Sequence, residues 1–158
     1  MTAPRLLAVA HGSREERSVP PLEALLERVR GLLPEPAVEL AFVDHRSPSI
    51  TAALRDSAPT VVVPLLLSSA SHVKGDIAAA VRSAGPAVLQ ARPLVPHIGV
   101  IRAVADRLEQ AGAGADTAVV LAAIGAADPA ANAQVVAEAR RVWEWRGGGD
   151  PVEAAFAS

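Results

Sequence analysis

Three short segments of this 158-residue chain hold three of its four histidines. They are His11-Gly12-Ser13-Arg14, Asp44-His45-Arg46 and Ser68-Ser69-Ala70-Ser71-His72-Val73-Lys74. Neutral imidazole is a common metal ligand and a base near neutral pH, so histidines brought to one place point to metal or proton-transfer chemistry. Taken singly, each histidine reads as structural or solvated; their value depends on whether the fold gathers them. Gly12 permits a tight turn and a close approach of a ligand to the backbone. Ser13 is a poor candidate for a hydrolase nucleophile, because it lacks a G-x-S-x-G elbow. Neither G-x-x-x-x-G-K-[ST] nor G-x-G-x-x-G occurs, which argues against nucleotide binding. The fourth histidine, in Pro93-Leu94-Val95-Pro96-His97, reads as a cap for the helix that follows it.

The elements that must position these segments are legible from hydrophobic periodicity. Leu6 to Ala10, Val38 to Val43, Val61 to Leu67 and Ala87 to Ala91 are short apolar runs of strand length, separated by helical patterns. This alternation predicts an α/β fold, an open and mostly parallel four-stranded sheet with flanking crossover helices. The first helix follows from Leu22, Leu25, Leu26, Val29, Leu32 and Leu33 at i, i+3, i+4, i+7 spacing, with Ser18 as cap and Pro34 as stop. A second begins at Ser47 with Pro48 in its first turn and ends before Pro59; a third follows His72 and stops at Gly85-Pro86. Ile98 to Ala111 forms a fourth. In an open parallel sheet, ligands bind beyond the carboxyl ends of the strands. All three segments follow a strand, so His11, His45 and His72 are expected on one rim.

The first strand and its turn recur in altered form. Leu6-Leu7-Ala8-Val9-Ala10-His11-Gly12-Ser13 returns about 113 residues later as Val119-Val120-Leu121-Ala122-Ala123-Ile124-Gly125-Ala126, with isoleucine in place of histidine. Ala24, Arg28 and Val29 recur as Ala137, Arg141 and Val142, and Val38-Glu39-Leu40-Ala41-Phe42 recurs as Val152-Glu153-Ala154-Ala155-Phe156. The expected division is residues 1–112 as an α/β domain carrying the histidines and 113–158 as an incomplete second repeat, a βαβ unit. Its helix opens at Asp128-Pro129 and runs to about Trp145. Two strands bury little alone, so a neighbouring sheet or another chain is expected to cover them.

Composition sets outer bounds. Hydrophobic residues make up 51% of the chain, enough for a substantial core. A net charge of -2 without a Lys/Arg cluster argues against nucleic acid. Without cysteine there is neither thiolate metal site nor disulfide, and the expected compartment is the cytoplasm. No run reaches the roughly 18 apolar residues of a membrane span.

The segment ending Ala10-His11-Gly12-Ser13-Arg14, followed by Val38-Glu39-Leu40-Ala41-Phe42 and by Val62-Val63-Pro64-Leu65-Leu66-Leu67 leading to His72-Val73-Lys74-Gly75-Asp76-Ile77, closely resembles the CbiX/SirB sirohydrochlorin chelatases over residues 5–111. These are class II tetrapyrrole chelatases. The resemblance implies insertion of a divalent metal, Co2+ or Fe2+ with Ni2+ also compatible, into sirohydrochlorin or a related tetrapyrrole in cobalamin or siroheme biosynthesis. The metal is then a substrate, and no organic cofactor is expected. Carried over by motif, His11 and His72 bind the metal and accept the macrocycle's protons. Ser13, Arg14, Asp44, His45, Arg46 and Lys74 are candidates for binding the substrate, whose many carboxylates suit basic side chains. Family members are built from two lobes, in one chain or in a dimer of short chains, which implies a homodimer or another chain completing the cleft. Two departures are Ala70-Ser71 where the family often has Gly-Gly, and Asp44-His45 where it often has a glutamate. A non-catalytic module holding metal or tetrapyrrole is the alternative reading, motivated by the half-length second repeat.

Overall fold

The computed structural model describes residues 4–56, 58–67 and 73–157; His72 lies outside these, as does the side chain of Lys74. Two compact units divide at Pro93 and Leu94. In the first, β1 (Arg5–Ala10), β2 (Val38–Phe42), β3 (Thr60–Pro64) and β4 (Val88–Gln90) form one sheet in the order β2-β1-β3-β4. Every pairing is parallel, with Leu6 opposite Val38 and Leu6 opposite Val61 on either side. The expected four-stranded parallel sheet is therefore present; β1 and β3 each begin one residue earlier than their apolar runs, and β2, β3 and β4 end one to three residues sooner.

β1 is central, and its side chains alternate between two cores. Leu7 and Val9 are fully buried on one face with Ala41, Ile50, Leu54, Val62, Ile77 and Val88. Ala8 packs on the other with Leu26 and Val38, joined by Leu6, Val29, Leu40 and Leu65. Such two-sided burial is why β1 reads as a continuous apolar run rather than an alternating one. The first face is covered by α2 (Ile50–Ala53) and α3 (Ala78–Ala84), and the second by α1 (Val19–Leu32).

The first two helices begin differently from expectation, each for a local reason. Ser18 does not cap α1; it ends a 3-10 turn, Glu16–Ser18, and its hydroxyl donates to the Glu15 carbonyl at 2.7 Å. Pro20 and Pro21 remove N–H groups that a cap would have served. The second helix starts after Pro48, because the Pro48 carbonyl accepts from Phe42 N–H at 3.0 Å and so extends the strand pairing. Ser49 then caps α2 by accepting from Ala52 N–H. On α1 the predicted stripe is only partly used: Leu26 is buried, whereas Leu25, Leu32 and Leu33 remain exposed.

The second unit contains α4 (Ile98–Gln110), β5 (Val119–Ala123), α5 (Pro129–Trp145) and β6 (Val152–Phe156). Asp128 caps α5 by accepting from Ala130 N–H at 2.9 Å, and Gly147, Gly148 and Gly149 turn the chain at positive φ. β5 and β6 pair in parallel with Val119 opposite Val152, the register that β1 and β2 use with Leu6 opposite Val38. α4, read from sequence as closing the first domain, packs here instead, with Ile101 buried against Ala139, Val142 and Val152. Among the described residues no helix is long and apolar enough to cross a membrane.

Candidate functional site

The strand order β2-β1-β3-β4 reverses direction at β1, which creates a switch point between the carboxyl ends of β1 and β3 where ligands of such sheets bind. His11 is the first residue past β1 and is half-buried there. The chain leaving β3 begins beside it, since Leu65 N–H donates to the Val9 carbonyl at 2.8 Å. That segment leads toward His72, whose position is not among the described residues.

The turn after β1 is locked to the loop after β2. Val43 N–H donates to Ala10 O and Asp44 N–H donates to His11 O, both at 2.9 Å. Gly12, at φ 94°, makes this possible: a Cβ there would lie 1.9 Å from the Asp44 carbonyl oxygen. Glycine is required twice, by its left-handed backbone and by the absence of space. Arg46 adds a third tie, with Nε donating to Ser13 O at 2.7 Å and Nη2 to Arg14 O at 3.4 Å.

This latch brings His45 to His11. The two ring centroids are 6.3 Å apart and the rings are tilted by 36° rather than stacked. His45 is the only described non-glycine residue at positive φ, 60°. Asp44 holds it in two ways, accepting from His45 N–H through Oδ1 at 2.7 Å and lying 3.5 Å from His45 Nε2 through Oδ2. On His11, Nδ1 is 3.2 Å from the Gly12 carbonyl, an oxygen that can only accept. A hydrogen bond to that carbonyl requires the proton on Nδ1.

The predicted site residues thus separate by what they do in the fold. His11, Asp44 and His45 converge. Ser13 uses its hydroxyl to accept from Glu15 N–H at 3.1 Å, Arg14 is exposed, and Arg46 directs its guanidinium to loop carbonyls. His97 belongs to the second unit and caps α4, as expected, by accepting from Gly99 N–H through Nδ1 at 3.1 Å. Two features had no signal in the sequence: the left-handed backbone of His45, and the service of Arg46 as a backbone clamp. Among the described residues no three metal-binding side chains are grouped, so any fuller ligand set draws on residues beyond them.

In the second repeat the turn keeps its shape without the imidazole. Gly125 has φ 88° against 94° for Gly12, and Ala157 N–H donates to Ala123 O as Val43 N–H donates to Ala10 O. Ile124, in the place of His11, is 82% exposed.

Comparison with known proteins agrees with this geometry. Residues 5–111 match the CbiX family. The chain is 31% identical over 135 residues to a sirohydrochlorin ferrochelatase of Bacillus subtilis (strain 168), covering 78% of this chain and 52% of that protein. It is 30% identical over 122 residues to a sirohydrochlorin cobaltochelatase of Priestia megaterium, covering 68% of this chain and 40% of the relative. The solved structure of SirB from Bacillus subtilis with Fe3+ superimposes with a TM-score of 0.83 at 28% identity, covering 98% of this chain and 66% of that one. The chain spans about half the length of the relatives it matches. With the family match covering most of the chain and the fold in agreement, the chain belongs to the CbiX family.

Proposed function

We propose that this chain is the histidine-bearing part of a metal chelatase, inserting Co2+ or Fe2+ into sirohydrochlorin or a related tetrapyrrole in the cytoplasm. The observation that carries the reading is the location of His11: a residue of the family motif, at the switch point of the sheet and latched to the loop after β2. The names of the relatives supply the metals and the macrocycle.

Insertion exchanges two pyrrole protons for one divalent ion. It therefore needs groups that hold the metal loosely and groups that take protons, and imidazoles with open coordination positions do both. His11 and His72 fill these roles in the proposal. Arg14 and Lys74 bind substrate carboxylates, with Ser13 and Asp44 lining the same edge. Arg46 contributes from behind, holding the His11 turn in place. A second copy, or another chain, closes the cleft over this edge, because the second unit presents Ile124 where the first has His11.

The test is anaerobic incubation of the chain with sirohydrochlorin and Co2+ or Fe2+, followed by absorbance, with light scattering to establish the oligomeric state. Insertion above the spontaneous rate is expected, lost for the most part in His11→Ala and in His72→Ala. No excess rate at concentrations where the chain is dimeric overturns the proposal. Tight tetrapyrrole binding without insertion would replace it with a carrier role.

A further inference from the structure

We propose that the open edge of β6 and the outer stripe of α5 form a self-association surface whose occupant is a second copy of this chain, the two β6 strands running antiparallel about a two-fold axis at Ala154. The surface lies wholly in the second unit and uses no residue of the histidine rim, so the inference goes beyond the chelatase reading.

The repeat supplies the first argument. Along a paired strand, successive residues turn their backbone groups to opposite sides. Val119 N–H donates to Pro151 O and Ala157 N–H to Ala123 O, so residues 151, 153, 155 and 157 serve β5. Val152, Ala154 and Phe156 therefore direct their N–H and C=O groups outward. In the first unit the corresponding edge is guarded at both ends. Arg30 donates to Val38 O through Nε at 3.1 Å and Nη2 at 2.7 Å, and Phe42 N–H reaches Pro48 O at 3.0 Å. Trp143 occupies the place of Arg30, and its Nε1 donates to Gly149 O at 3.2 Å instead. Among the described residues no hydrogen bond reaches the outward backbone of Val152, Ala154 or Phe156. Edge strands are ordinarily blunted by charge, proline or a covering segment, because a row of unpaired N–H and C=O groups templates association.

The stripe beside that edge changes in the same sense. Glu23, Glu27 and Arg30 of α1 become Val136, Arg140 and Trp143 of α5, at i, i+4 and i+7 spacing on one helix face. Val136 is 52% exposed and Trp143 36%, and with Ala139 they line a groove along Val152 and Ala154. The one charge in the stripe, Arg140, is matched on its own helix by Glu144 at 3.0 Å. The groove is thus apolar and electrically balanced where its counterpart is charged.

Self-complementarity names the occupant. A two-fold axis at Ala154 sets Val152 opposite Phe156 of the second copy and Ala154 opposite its own counterpart, and the three outward pairs exchange about six hydrogen bonds. Glu153 falls opposite Ala155, so no like charges meet across the junction. The two α5 helices run antiparallel across the axis, and the Val136 end of each meets the Trp143 end of the other. An isologous contact of this kind closes after two copies. This palindromic order singles out a second copy over an unrelated strand.

Sedimentation and light scattering of the full chain over a concentration series, without metal or tetrapyrrole, test the surface. A monomer–dimer equilibrium is expected. Val136→Glu restores the charge that the first unit carries at Glu23 and should raise the dimer dissociation constant by about 10-fold or more. Ala154→Pro removes one outward N–H while residues 153 and 155 keep their bonds to β5, a change that edge strands accept, and should weaken the dimer as much. Leu32→Glu, at an 80% exposed apolar position of the first unit, is the control with an unchanged constant. Hydrogen exchange identifies the face: the amides of Val152, Ala154 and Phe156 gain protection as concentration rises, and those of Glu153 and Ala155 do not change. A chain monomeric at every concentration overturns the proposal. So does a dimer whose constant stays within about twofold of the parent in both variants, with circular dichroism retained. If Ala154→Pro does not fold, Val136→Glu and the exchange pattern decide alone. Metal insertion by a chain that forms no β6 dimer leaves the chelatase reading standing and removes this one; a β6 dimer that inserts no metal does the reverse.

Discussion

Replacing Gly12 with alanine probes the link between fold and site most directly. At φ 94° the alanine first incurs the left-handed cost of about 1–2 kcal/mol. Its Cβ would then stand 1.9 Å from Asp44 O, where ordinary contact begins at 3.4 Å, so the β1 and β2 loops must part by about 1.5 Å. The bonds from Asp44 N–H to His11 O, at 2.9 Å, and from Arg46 to Ser13 O, at 2.7 Å, do not survive that separation. Their loss adds about 1 kcal/mol for the neutral bond and about 1.5–3 kcal/mol for the charged one. The total is about 3.5–6 kcal/mol. Gly85→Ala, in the same unit at φ 98° with nothing within 4 Å, is the matched comparison and carries only the backbone cost, about 1–3 kcal/mol. Urea denaturation followed by circular dichroism measures both, with hydrogen exchange of the β1 amides assigning the loss to this unit, since Trp143 and Trp145 report on the other. Gly12→Ala should also lose Co2+ affinity, and Gly85→Ala should keep it. Equal destabilisation by the two substitutions, with Co2+ affinity retained in Gly12→Ala, would refute the reasoning.

Arg46→Lys removes the planar fork that reaches both Ser13 O and Arg14 O. It should cost about 1–2 kcal/mol in urea denaturation and several-fold in Co2+ affinity by calorimetry; unchanged values for both would count against the latch. Arg5→Met tests the opposite end of the sheet. There Arg5, with 14% of its side chain exposed, donates to Thr60 Oγ1, Ala53 O and Asp56 Oδ1 and pairs with Glu39. Losing these contacts should lower stability by about 2–4 kcal/mol and leave Co2+ affinity at the parental value, because the site is at the carboxyl ends of the strands.

Much of the fold was legible because burial imposes periodicity. β1 is covered on both faces and reads as an unbroken apolar run, and α5 carries its own start signal in Asp128-Pro129. What failed was local competition. Ser18 had the right chemistry for a cap, but its hydroxyl went to the Glu15 carbonyl. Pro48 suited a first helical turn, but its carbonyl was taken by Phe42 N–H. The placement of α4 depended on which apolar surface it met, and Ile101 fits the α5 face as well in sequence terms as any other. At the site, the rule that ligands gather at strand carboxyl ends selected His11, Asp44 and His45 correctly as neighbours. It could not foresee that Arg46 would turn inward, since a guanidinium satisfies a backbone carbonyl as readily as a substrate carboxylate.

The two repeats show which part of the site is scaffold and which is chemistry. Register, positive-φ glycine and the strand-end hydrogen bond are the same in both. The carbonyl just after the glycine must also find a donor in both, and here the solutions diverge. In the second unit Asn132, from the helix that follows, donates through Nδ2 to Ala126 O at 2.9 Å and accepts from Ala126 N–H at 2.8 Å. The neutral amide closes the turn on itself. In the first unit Ser13 O is served by Arg46, which belongs to the neighbouring loop and follows Asp44-His45 directly. A turn closed by its own helix gains shape alone, whereas a turn closed from the next strand's loop brings that loop's side chains with it. The donor at this one carbonyl therefore separates a strand-end turn that merely connects elements from one that sets a second imidazole beside the first.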